Sequence, residues 1–122
     1  MRLSYLDFDY SEDTESTGVF DAMATVAPAR LAALHAEIEQ VLGWAHDAFP
    51  AQRGPLADGG TWYYDLQGTR ETSTPEALEF DAAAKRLNVR TGEPGAASHT
   101  VRFTIVGSAD FCAALREHFA LE

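Results

Sequence analysis

The chain is short of positive charge. Nine Lys and Arg stand against nineteen Asp and Glu, a net charge of −10 over 122 residues. Binding to phosphate backbones needs a basic footprint, so nucleic acid is excluded as an expected partner. Cysteine is nearly absent as well. A lone Cys112 rules out an internal disulfide framework and a zinc site built mainly on thiolates. No apolar run approaches the ~20 residues that cross a bilayer. The opening MRLSYLDFDY lacks the apolar segment of a signal peptide, so a cytoplasmic location away from membranes is expected. There is no fixed-period repeat, P-loop, G-x-G-x-x-G or H-E-x-x-H. His35-Ala36-Glu37 matches the H-x-E of zinc deaminases, but the P-C-x-x-C that must accompany it is missing. No cofactor and no metal are expected.

What is present suits a folded domain. Apolar residues make up 46% and charged residues 23%, far from the composition of disordered chains. One domain over residues 1–122 is expected, long enough to bury a core without cross-links.

Periodicity places the elements. Leu6, Phe8 and Tyr10 alternate with Asp7, Asp9 and Ser11, the period of a half-buried strand. SEDTESTG supplies turn formers, and Val19 to Val26 reads as a second strand pairing with the first. Residues 28–48 form the clearest helix. Pro28 suits its first turn, Leu31, Leu34, Ile38, Val41, Leu42, Ala45 and Phe49 form its apolar stripe, and Pro50 stops it. A Pro- and Gly-rich loop over 50–60 precedes TWYYDLQG, a strand by its aromatics and its alternation. TRETST is polar and reads as irregular.

Residues 75–87 support two readings. Thr74-Pro75-Glu76 resembles a helix start, yet a helix puts Leu78 and Phe80 about 200° apart. In a hairpin, Leu78 and Phe80 share one face of the first strand, and Leu87 and Val89 share one face of the second; this reading is preferred. HTVRFTIVG is a strand with Val101, Phe103 and Ile105 inward. Ser108 caps a last helix with Phe111, Leu115 and Phe119 on its buried stripe. Leu121-Glu122 reads equally as native or vector-derived sequence. The expected fold is α+β: an antiparallel sheet of five to six strands with two helices on one face, in the order β-β-α-β-β-β-β-α.

The acids concentrate early. Residues 1–60 hold ten against three Lys and Arg; residues 61–122 hold nine against six. Asp7 and Asp9 are expected on the wet face of the sheet, with Arg86, Arg90 and Arg102 on that face as cross-strand partners. A calcium loop beginning at Asp7 needs Gly at its sixth position and Glu at its twelfth, where the chain has Glu12 and Gly18. An acidic strand and turn, including Glu12 and Asp13, remains as a surface for a basic partner.

His35, Glu39 and His46 lie along one flank of the first helix, at spacings of four and seven that keep them aligned. A His and a Glu so spaced can share a metal, or the Glu can orient the His as a base. No nucleophile or electrophile accompanies them, and boundary histidines on amphipathic helices are common. Ser108 and Cys112 are read as a helix cap and a buried thiol. His99 and His118 have no partner visible in the sequence. Two aromatics fall on nominally wet faces: Trp44, on the side of the helix away from Leu31 and Ile38, and Tyr63, opposite Trp62 and Tyr64. Large aromatics so placed mark contact surfaces; the bland alternative is that the 50–60 loop covers Trp44.

The leading functional expectation is a non-catalytic binding module that contacts a protein partner or a second copy of itself. Its surface would draw on Trp44, Tyr63, Asp7, Asp9, Glu12 and Asp13. The alternative is a small enzyme or metal protein using His35, Glu39 and His46. A third reading is a small apolar ligand held between sheet and helices, which requires a pocket of ~300 Å³ or more.

Overall fold

A computed structural model describes residues 2–50 and 53–121; Ala51 and Gln52 of the expected loop, and the terminal Glu122, lie outside them. The elements follow the expected order: β1 (Asp9–Glu12), β2 (Gly18–Val26), α1 (Pro28–Ala48), β3 (Trp62–Glu71), β4 (Glu76–Asp81), β5 (Arg86–Thr91), β6 (Ser98–Gly107) and α2 (Ala109–His118). The fold is α+β and antiparallel throughout its ladders. The strands do not form one sheet, however. Four make a sheet in the order β1-β2-β6-β3, and β4 and β5 pair only with each other.

Alternation in β2 and β6 builds the dry face. Phe20, Ala22 and Ala24 are buried between exposed Asp21, Met23 and Thr25, and Val101, Phe103 and Ile105 are buried on the neighbouring strand. The register sets Phe20 opposite Ile105 and Ala22 opposite Phe103, so the two strands share one apolar surface. Leu34, Ile38, Val41 and Ala45 from α1, with Phe111, Cys112, Leu115 and Phe119 from α2, complete the core. Trp62 closes one end. Its ring is fully buried and stacks on Phe111 at 5.3 Å and 7°.

The ends of the elements follow local chemistry. Pro28 occupies the first turn of α1. Ser108 Oγ accepts from the Phe111 N–H at 3.3 Å and caps α2, with Asp110 in the first turn and Arg116 and His118 in the last, matching the helix dipole. Just before it, a Cβ at residue 107 would run into the Phe111 ring, so only Gly107 lets α2 turn tightly back on β6.

Three boundaries differ from expectation. Pairing in β1 begins at Asp9 rather than at Leu6, although Leu6 is buried and Phe8 half-buried as the alternation requires. The segment before β1 is held by Glu37 instead. The Glu37 carboxylate is 8% exposed and accepts from the Ser4, Tyr5 and Leu6 N–H groups at 2.8, 2.9 and 2.7 Å. Those three backbone donors satisfy a charge that helix periodicity places on a wet face. Finally, β3 runs on through Thr69, Arg70 and Glu71, a stretch that reads as irregular, because β6 starts at Ser98 and supplies a ladder partner out to Glu71.

Beyond that point the chain leaves the sheet. The links on either side of the hairpin are tied by Gly92 N–H to the Pro75 carbonyl and Gly95 N–H to the Ser73 carbonyl, both at 2.8 Å. The ribbon of β3 and β6 therefore continues, irregularly, into β4 and β5. At its tip Asp81 Oδ1 accepts from the Ala83 and Ala84 N–H groups at 3.0 and 3.1 Å, and Lys85 takes the left-handed φ of 54° that closes the turn. We call residues 72–97 the arm.

Candidate functional site

Every described residue from Asp65 to Glu93 is exposed, the whole hairpin included. Within the hairpin the register pairs Leu78 with Val89 and Phe80 with Leu87. Cross-strand partners share a face, so these four side chains form one apolar patch. They are 62%, 56%, 63% and 57% exposed respectively. The opposite face carries Ala77, Glu79, Asp81, Arg86, Asn88 and Arg90, with Arg90 and Glu79 at 3.9 Å. A lone two-stranded hairpin is marginal in water, and contiguous exposed apolar patches mark contact surfaces.

The alternation of Leu78, Phe80, Leu87 and Val89 is visible in the sequence. Their exposure is not, because the sequence places the hairpin within the sheet with its apolar side dry. The same separation overturns one electrostatic expectation. Arg86 and Arg90 are on the arm, not beside Asp7 and Asp9. On the sheet, Asp9 stands opposite Asp21, whose carboxylate accepts from Thr104 Oγ1 at 2.9 Å. Of the three expected arginines only Arg102 belongs to that sheet, opposite Met23 and Gln67.

A groove of about 550 Å³ lies between α1 and β3, floored by Ile38, Leu42, Leu66 and Val101. His35, Glu39 and His46 all line it. The helix spacing thus does bring the three to one cleft. Among the described residues, though, no group of three or more His, Cys, Asp or Glu is placed to hold a metal ion. The His46 ring rests edge-on against Trp62, with centroids 5.0 Å apart. Neither Ser108 nor Cys112 lines the groove: the first is spent as a cap, and the second is buried beneath β2. Burial pushes the Cys112 thiol up from its ordinary pKa, and its Sγ donates to the Gly107 carbonyl at 3.4 Å. A thiol so held is a weak nucleophile.

The remaining predicted surface residues are scattered. Trp44 does not face solvent on the back of α1. α2 covers it, with His118 stacked on the indole at 5.2 Å and 23°, and Phe119, Phe111 and Phe49 around it. It is half-buried, and α2 supplies that cover. Tyr63 lies on the open face beside Val106, also half-buried. Asp7 and Asp9 are exposed, as the alternation requires. Glu12 and Asp13 have local duties. Glu12 accepts from the Tyr10 hydroxyl at 2.8 Å, and Asp13 Oδ1 accepts from the Glu15 and Thr17 N–H groups, shaping the β1–β2 turn. Burial first, and then that bond to Glu12, push the Tyr10 hydroxyl up to about 12, with Arg116 lying 4.1 Å over its ring.

Among the described residues, no helix is long and apolar enough to cross a membrane. Comparison with protein-family models, with curated proteins and with solved structures finds no match to this chain.

Proposed function

We propose that the protein is a non-catalytic interaction module whose contact surface is the β4–β5 arm. One observation carries this reading: Leu78, Phe80, Leu87 and Val89 form a single apolar face, each more than half exposed, on a hairpin that no other described element covers. The expected surface on Trp44 and Tyr63 loses weight beside it, since Trp44 already packs against α2 and Tyr63 stands alone on the open face, half-buried. The chain's net charge of −10 argues against nucleic acid as the partner and fits an acidic cytoplasmic protein. Sedimentation velocity of the full chain, beside a Phe80→Ser/Leu87→Ser variant, tests the reading. Association that the double substitution removes is expected. A chain that neither self-associates nor binds any protein through the arm would refute it.

A second reading draws on His35, Glu39 and His46 along the groove. It expects NMR titration of the histidines to shift on adding zinc or a small apolar probe. Unchanged histidine signals would remove it.

A further inference from the structure

This inference rests on the reading of the arm as a contact surface and names what it contacts. We propose that the partner is a second copy of this chain, with the arm of each copy seated in the α1–β3 groove of the other.

The groove has two glycines that nothing in its own chain requires. Gly43 sits inside α1, where it costs about 1 kcal/mol relative to Ala. Gly68 sits inside β3, where a glycine weakens a strand. Neither has a positive φ, and a Cβ added at either would meet nothing within 4 Å. Both line the groove, one on the helix wall and one on the strand wall. Glycines facing each other across an open apolar groove make room for something arriving from outside.

Charge selects the arm as that occupant. Residues 76–91 carry Glu76, Glu79 and Asp81 against Lys85, Arg86 and Arg90, so the hairpin is neutral and the whole net charge of −10 resides elsewhere. Two open sheet faces bearing Asp9, Asp21 and Asp65 would repel each other. A neutral hairpin adds no such penalty. The groove and its continuation toward the sheet's end are lined by one acid, Glu39, against Arg70, His35, His46 and His99. That lining is basic rather than acidic, and Glu76, which shares the arm's apolar face, suits it.

Position agrees. Arg70 and His99 are cross-strand partners near the last rung of the β3–β6 ladder, so each arm leaves from the end of its own groove. The bonds from Gly92 to Pro75 and Gly95 to Ser73 hold that root extended, which opposes doubling back onto the same groove. A two-fold axis then lays each arm across its partner's groove, as an isologous dimer requires.

The test uses full-length protein carrying Cys112→Ser, with Phe80→Cys in one preparation and Gly43→Cys in another. Mixing and mild oxidation should give a disulfide-linked pair containing one of each. A parallel variant, Gly43→Leu/Gly68→Val, fills the groove while improving helix and strand propensity. It should keep or raise thermal stability and weaken self-association about tenfold or more. If Phe80→Cys links only to itself and the filled groove associates as tightly as wild type, arm exchange is wrong, while the interaction reading stands. A monomer at every concentration also overturns the exchange; it overturns the interaction reading too if the arm then binds no other protein.

Discussion

β6 and the β4–β5 hairpin are built on the same pattern, apolar residues at every second position, yet they end in opposite surroundings. Val101, Phe103 and Ile105 are buried beneath two helices, whereas Leu78, Phe80, Leu87 and Val89 are each more than half exposed. Alternation therefore specifies a strand and its two faces, and says nothing of what covers the apolar one. In the body that cover comes from α1 and α2. For the arm, none of the described elements supplies it.

That contrast can be broken by matched substitutions. Trp62→Ala removes a fully buried ring that stacks on Phe111, and should lower unfolding stability by about 3–5 kcal/mol in chemical denaturation. Phe80→Ala removes a ring of similar chemistry from the arm, and at dilutions where the chain is monomeric should change stability by less than about 0.5 kcal/mol. Comparable losses from both would mean that the arm belongs to the body's core. Glu37→Gln comes next. It replaces a carboxylate that accepts three backbone N–H groups with an amide that can present only one acceptor oxygen to them. A cost of about 1–3 kcal/mol is expected, with faster hydrogen exchange confined to the amides of residues 4–6.

Smaller effects sharpen the picture. Gly43→Ala should stabilise the monomer by up to about 1 kcal/mol, since the added methyl meets nothing. A loss of stability would show that the glycine serves the chain's own fold. Tyr10 supplies a pH test. Its hydroxyl is pushed up to about 12 in the folded protein and titrates near ~10 when unfolded. The folded state then holds a proton that the unfolded state has released, so stability is full below about pH 10 and falls as pH rises toward 12. Denaturation midpoints across this range should decline for wild type, and Tyr10→Phe should remove that part of the decline.

Much of the fold is legible in the sequence. The α1 stripe, the Ser108 cap and the alternation in β2 and β6 each follow from the local spacing of residues, and each recurs in the structure. What spacing does not carry is which strands neighbour one another. Leu78 and Phe80 look as dry as Phe103 because a strand's own residues do not reveal a missing third strand. Glu37 reads as a surface acid because its donors lie more than thirty residues away. The flank of His35, Glu39 and His46 is legible as a line on a helix, while the groove beside it depends on β3, and the two glycines that widen it gain meaning only when both walls are seen. Trp44 misleads for a similar reason: its cover, α2, comes from the far end of the chain.

The central claim is that the arm's apolar face is buried only by association. Hydrogen exchange of the amides in residues 76–91, measured as protein concentration rises, tests it most directly. The account predicts that protection of these amides climbs with concentration while that of β2 and β6 stays constant. Protection of the arm that is as strong as the body's at every dilution would contradict it, as would an arm that remains unprotected at the highest concentration reached.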